Sequence, residues 1–362
     1  MTARVIICCG SGGVGKTTAS AALALKHAMA GQRVAVLTID PARRLADSLS
    51  IGEIGNTARS VPLTGAAAGG ELDAMMLDAK ATFDALIRRI SPSAESAERV
   101  LHNRYYQFAS EKLGGSHEYM AMQKLLDLWE HGHYDTIVLD TPPTRHALDF
   151  LAAPQRMAGL FDQGVLRWLV MPASRGGWRA LELGSEAVAK VLKKIMGEGT
   201  ISEIAEFFEA FRDLWDGFRE RSLRVDALLA DPTTRFLLVS SPEPASRTEA
   251  LFFLEQLAER GLPFGGFLVN RVVRPPRHAL AADQIPRAGS VAAEAWEEVR
   301  AALLKVWEDR VRRAAAHAAS VAALRAAGPA DAPCWEIPEQ PRDLHRLADL
   351  QALAQHLPLI DG

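Results

Sequence analysis

Lys16 and Thr17 close the run Gly10-Ser11-Gly12-Gly13-Val14-Gly15-Lys16-Thr17-Thr18, a G-x-x-x-x-G-K-[ST] spacing. Glycines let successive backbone N–H groups wrap a phosphate without side-chain obstruction, the lysine neutralises phosphate charge, and the threonine hydroxyl is a Mg²⁺ ligand. The chemistry such a loop serves is binding and transfer of the terminal phosphoryl group of a nucleoside triphosphate. The four fixed positions recur by chance in roughly one in a hundred chains of this size, so the surrounding elements must decide.

Those elements agree. Val5 to Cys9 is a β-branched-rich run that reads as a buried parallel strand. After the loop, Thr17 to Ala30 is rich in good helix formers and stops at Gly31. The order strand, loop, helix aims the positive end of a helix at the bound anion. Val34 to Ile39 reads as a second strand ending in Asp40, and Thr136 to Leu139 as a third ending in Asp140. Phe236 to Ser240, Gly266 to Asn270 and Trp335 to Pro338 suggest further strands. The loop, Asp40 and Asp140 thus all fall just past the carboxyl ends of strands, where an open α/β sheet binds its ligand.

Composition narrows the class. The chain has 362 residues, 48% hydrophobic and 23% charged, the balance of a globular protein of one large α/β domain or one carrying an insertion. Lys plus Arg is 41 against 44 for Asp plus Glu, so the net charge of -3 gives no reason to expect nucleic acid as a partner. No uncharged apolar stretch reaches about 18 residues, so no transmembrane segment is expected, and the five-residue run Val5 to Cys9 is too short for a signal-peptide core. The expected location is cytoplasmic. Cys8, Cys9 and Cys334 supply neither a disulfide framework nor C-x-x-C zinc spacing. His131 and His133, at i and i+2 beside Gly132, read as a polar loop before a strand at Tyr134 rather than as metal ligands.

The loop G-x-G-G-x-G-K-T-T resembles the deviant phosphate loop of the dimeric ATPases. Asp40-Pro41-Ala42-Arg43-Arg44-Leu45-Ala46-Asp47 is similar to the switch I motif of their arsenite-pump and tail-anchored-protein targeting branch. Asp140-Thr141-Pro142-Pro143-Thr144-Arg145-His146-Ala147-Leu148-Asp149-Phe150-Leu151 is similar to the same branch's switch II. The resemblance covers residues 1–155 and 233–275, and implies a SIMIBI-type P-loop NTPase of mostly parallel sheet flanked by helices. It implies ATP/ADP and Mg²⁺ as cofactors. Gly12, Gly13, Val14, Gly15, Lys16, Thr17 and Thr18 would hold the phosphates, Thr17 would ligate the metal, and Asp40 and Asp140 would hold its bound waters. Asp47 matches the family residue that orients the attacking water, and Asn270 the one that contacts adenine.

The family's signature lysine, one position after the first glycine, is Ser11 here. This chain most resembles the actinobacterial-type members that lack the lysine, which implies either a homodimer without a trans cation or a heterodimer with a lysine-bearing relative. Arg43 or Arg44 would then be a candidate replacement cation. The targeting ATPases' paired C-x-x-C zinc clasp and the arsenite-pump cysteines have no counterpart in this sequence.

Two apolar stripes at helical spacing, Val188 to Met196 and Ile204 to Phe218, predict an α-helical insertion at 153–232 within a core of 1–152 and 233–362, with an extra helical region at about 79–131. In the targeting ATPases the corresponding region binds a hydrophobic helix client; apolar faces of this kind also form the inside of a subdomain or a dimer contact. The leading expectation is an ATP hydrolase acting as a dimeric nucleotide-driven switch. The alternatives are a nucleotide-sensing subunit that turns nothing over and a small-molecule P-loop kinase.

Overall fold

A computed structural model of the chain describes residues 3–40, 44–104, 106–107, 110, 116–142, 214–276, 292–341, 344 and 346–360. Strand β1 (Arg4–Cys9) runs into the phosphate loop and helix α1 (Lys16–Met29), which returns to β2 (Arg33–Thr38). A short α2 (Arg44–Leu49) follows, then β3 (Arg59–Ser60) and β4 (Glu71–Met76). Helices α3 (Ala79–Ile90), α4 (Ala94–Leu101) and α5 (Ser116–His131) lead to β5 (Thr136–Asp140). Beyond it come α6 (Trp215–Ala230), β6 (Thr234–Ser240), α7 (Pro244–Glu259) and β7 (Phe264–Val272). Helix α8 (Ala293–Ala327), β8 (Cys334–Pro338) and α9 (Leu347–Ala354) complete the described order.

Among the described residues the strands form one sheet in the order β3-β4-β2-β5-β1-β6-β7-β8. Every neighbouring pair is parallel except β3 and β4. β1 sits between β5 and β6, and the order reverses around it, so the loop after β1 opens at a topological switch point. Buried strands read as continuous apolar runs because both faces are covered. Val5, Ile7 and Cys9 join the core beneath α5, α6 and α7, while Ile6 and Cys8 face α1, α2 and α9. Burial pushes both thiols up to about 12, so Cys8 and Cys9 behave as small apolar residues.

α1 is alanine-rich for a packing reason: Ala21, Ala22, Leu23, Ala24 and Leu25 are all fully buried, sandwiched by the sheet with α2 and α9 alongside. Gly31, at φ 95, ends it in the left-handed conformation expected of a helix stop.

The structure corrects three expectations. Glu71 to Met76, not read as a strand, is β4, and the short β3 at Arg59–Ser60 was not read as one either. Glu71 and Asp73 hid the pattern, yet Asp73 merely accepts a hydrogen bond from Tyr134 Oη at 2.9 Å on the half-covered face. His131 ends α5 rather than opening a loop, and the next strand starts at Thr136, with His133 stacked on Tyr134. His131 lies near Asp127 and Glu130, but those carboxylates are taken by Arg89, Arg221 and Arg224.

Of the expected 153–232 insertion, residues 153–213 lie outside the described residues, as do Arg43 and Pro143 to Leu151 of the second switch. Phe218 packs with Phe83, Tyr106 and Tyr119 in an aromatic cluster between α3, α5 and α6. Val225, Leu228 and Leu229 carry α6 onto the main sheet core. No helix among the described residues is long and apolar enough to cross a membrane.

Candidate active site

The loop between β1 and α1 is held by close approach. A Cβ at Gly10 would stand 2.0 Å from the Val239 carbonyl oxygen, so only glycine lets the chain leave β1 there. Gly15, at φ 90, is left-handed, and a Cβ on it would meet Asn270 Nδ2 at 2.4 Å. Asn270 Nδ2 donates to the Val14 carbonyl at 2.8 Å, so the carboxyl end of β7 is bolted to the loop.

Lys16 is nearly buried, and its Nζ donates to the carbonyls of Gly10 and Ser11, each at 2.8 Å. Burial pulls the ammonium below the ordinary lysine range, and the Asp140 carboxylate opposes that shift. The charge is thus held over the loop, within reach of whatever anion the loop binds.

Asp140, at the end of β5, is the node of the site. Its Oδ2 accepts from Thr17 Oγ1 at 2.7 Å and from Thr38 Oγ1 at 3.0 Å, and its Oδ1 from Ser20 Oγ at 3.5 Å. Burial raises its carboxyl to about 6; the Thr17 and Thr38 hydrogen bonds and the Lys16 charge act against that rise. Thr38 Oγ1 in turn accepts from the Asp40 backbone N–H at 3.2 Å, so one carboxylate links α1, the end of β2 and the end of β5.

A cavity of about 660 Å³ opens over this node, a size suited to a nucleotide. Gly12, Gly13, Gly15, Lys16, Thr17 and Thr18 line one side; Asp40, Arg44, Asp47 and Ser48 line another. The sequence-derived residues Lys16, Thr17, Asp40 and Asp47 therefore share one cavity, with Asp140 buried beneath it. Val14 is buried under the loop, where its backbone rather than its side chain faces Asn270. Asp47 is exposed on α2, and Arg44 Nη1 stands 3.6 Å from Asp40 Oδ2.

Sequence reasoning missed Thr38, Ser20, Arg271 and Ser246. Thr38 is the last residue of β2 and Ser20 lies inside α1, and only the approach of β5 gives their hydroxyls a purpose. Ser11 Oγ pairs with Ser246 Oγ at 2.9 Å, a contact across 235 positions that no local pattern announces. Ser246 also accepts from the Ser241 backbone N–H at 3.1 Å, so the position of the missing lysine is anchored to the start of α7.

The family model described as anion-transporting ATPase matches residues 3–280. The chain belongs to that family. Its class is accordingly that of an ATP hydrolase. This ATPase is 24% identical over 272 residues to ATPase GET3 of Malassezia globosa, covering 75% of this chain and 73% of that one. It is 25% identical over 278 residues to a protein of Aquifex aeolicus named as an arsenical pump-driving ATPase, covering 75% of this chain and 63% of that one. It is 28% identical over 279 residues to Protein Rv2184c of Mycobacterium tuberculosis, covering 75% of this chain and 59% of that one. The ATPase thus spans less than two thirds of two of these relatives.

Proposed function

We propose that this chain binds Mg·ATP between the β1–α1 loop and Asp140, and works as one half of a dimeric nucleotide-driven switch that couples hydrolysis to a partner or hydrophobic client. The observation that carries this reading is the Asp140 node, where one buried carboxylate touches both the phosphate-loop helix and the strand that feeds residues 40–47. A change at the phosphates is thereby felt by the segments that leave β2 and β5, the requirement for a nucleotide switch.

Mg²⁺ fits the donor set: a threonine hydroxyl and two carboxylates are hard oxygen ligands, and Asp140 is desolvated in a way an added cation would relieve. Thr17 would hold it directly, with Asp40 and Asp140 behind; when bound, the metal neutralises charge on the β- and γ-phosphates. The backbone N–H groups of Gly12 to Thr18 would hold phosphate oxygens, and Lys16 would turn its ammonium from the Gly10 and Ser11 carbonyls onto them. Asp47 would orient a water for in-line attack, and Asn270 would contact the base. Arg44 would bring positive charge to the phosphate end in place of the lysine absent at Ser11, which is instead fixed to Ser246. Arg44→Ala is expected to lower phosphate release at saturating ATP at least tenfold with little change in KM; an unchanged rate removes Arg44 from the mechanism.

Ser11 also favours an asymmetric pair, in which a related ATPase with the lysine intact completes this site, both in the cytoplasm. The insertion expected at 153–232 would be the client- or partner-facing part. Purified chain is expected to bind Mg·ATP alone by titration calorimetry, and to release phosphate at least ten times faster when mixed with such a relative. Binding without release in either preparation would favour the nucleotide-sensing subunit, and an absence of heat with ATP and ADP would remove the nucleotide from the account altogether.

A further inference from the structure

We propose that Arg271 is the affinity-determining contact for the nucleobase, its guanidinium lying on the face of the ring. The inference rests on the nucleotide reading above and adds a residue to it.

Arg271 is one of two non-glycine residues with positive φ among the described residues, at 60°. It falls where the pairing of β7 with β8 shifts register between Val269 and Val272. A left-handed arginine is strained, and strain of this kind persists where the surroundings impose it. Here Asn270 imposes it: its Oδ1 accepts from the Arg271 backbone N–H at 2.9 Å while its Nδ2 holds Val14. The bulge thus turns the arginine toward the phosphate loop at a cost to the fold.

Two cavities meet there. The phosphate cavity and a second one of about 320 Å³ share Gly15, Thr18, Arg271 and Leu344. The second cavity adds Asn270, Glu339, Gln340 and Leu353. A triphosphate anchored at Lys16 and Thr17 leads its nucleoside past Thr18 into that second space. Its lining of amides, one carboxylate and leucines suits a neutral hydrogen-bonding ring and repels further phosphate. Asn270 keeps one N–H and one lone pair beyond the two bonds it already makes, the pair that matches adenine. The Arg271 guanidinium donates no hydrogen bond among the described residues; Glu243 feels its charge only as the smallest of several influences. An exposed planar cation at the seam, with Leu344 also on both cavities, is equipped to cover an aromatic face.

The test compares Mg·ATP with magnesium tripolyphosphate, which has the phosphates and no base, by titration calorimetry on the full chain. Arg271→Ala is expected to weaken ATP about tenfold and leave tripolyphosphate unchanged. Arg271→Lys should recover only part of the loss, because an ammonium lacks the planar face. Arg271→Gly should lose ATP affinity equally while melting about 1–3 °C higher, since glycine occupies the left-handed region without strain. Equal weakening of both ligands would make Arg271 a phosphate contact, and unchanged ATP affinity would leave it a solvated bulge residue; either overturns the proposal. Wild-type chain that binds neither ligand would bring down the nucleotide reading itself, a distinguishable result.

Discussion

Lys16→Ala is expected to lower ATP hydrolysis by at least two orders of magnitude, measured as phosphate release, with melting temperature shifted by no more than a few degrees. The size follows from the charge that phosphoryl transfer spreads over the equatorial oxygens, where a preorganised cation acts in a water-poor site. The small stability effect follows from the location. Lys16 begins α1, its ammonium is desolvated, and its two hydrogen bonds go to loop carbonyls rather than to the core. Alanine is a better helix former and removes a buried charge, which offsets the two lost bonds. Lys16→Arg should not restore turnover, because the planar fork is bulkier than the point charge that the Gly10 and Ser11 carbonyls now surround. Turnover within threefold of wild type in Lys16→Ala would separate the loop from the chemistry.

Asp140→Asn should cost about a hundredfold in kcat/KM for Mg·ATP while raising the melting temperature at pH 7. Burial lifts the Asp140 carboxyl to about 6, against an ordinary value of 3.8. A carboxyl whose folded value is raised contributes stability that is complete below about pH 4 and is lost as pH climbs through about 6. At pH 7 the ionised group therefore weighs against the fold, and the neutral amide does not, so a rise of roughly 2–4 °C is expected. The same value sets activity with the opposite sign. Metal holding needs the carboxylate, so wild-type kcat/KM should fall as pH drops below about 6, and this limb should be absent from the Asn variant. A variant that melts lower at pH 7, or a wild-type profile flat from pH 7 to pH 5, would count against the carboxylate as the coupling node.

The two variants also divide the site by what built it. Lys16 and Thr17 needed only local spacing, because a glycine loop followed by a helix positions both through backbone geometry that a nine-residue string specifies. Asp40 and Asp140 were legible as strand-end residues for the same reason, since parallel strands in a doubly wound sheet all finish on one edge. That shared edge is why residues 100 positions apart in sequence were expected together. Asn270 was legible only through family resemblance; its hydrogen bond to Val14 spans 256 positions and has no sequence signature. Thr38 and Ser20 were invisible because threonine in a strand and serine in a helix are ordinary there, and their orientation toward Asp140 depends on which strands are neighbours.

The chain's amino-acid order was enough to specify the phosphate loop, the parallel α/β class and the carboxylates at the strand tips, because each follows from interactions within a few residues or from one repeated period; the family was legible through the resemblance of three motifs. Tertiary structure decided the rest: which hydroxyls face Asp140, that Ser11 is bound to Ser246, that Arg271 is turned left-handed where two cavities join, and that Glu71 to Met76 is a strand. These depend on the sheet order β4-β2-β5-β1-β6-β7, and strand order is fixed by how long crossovers pack their apolar faces, a sum over distant contacts that no short window contains.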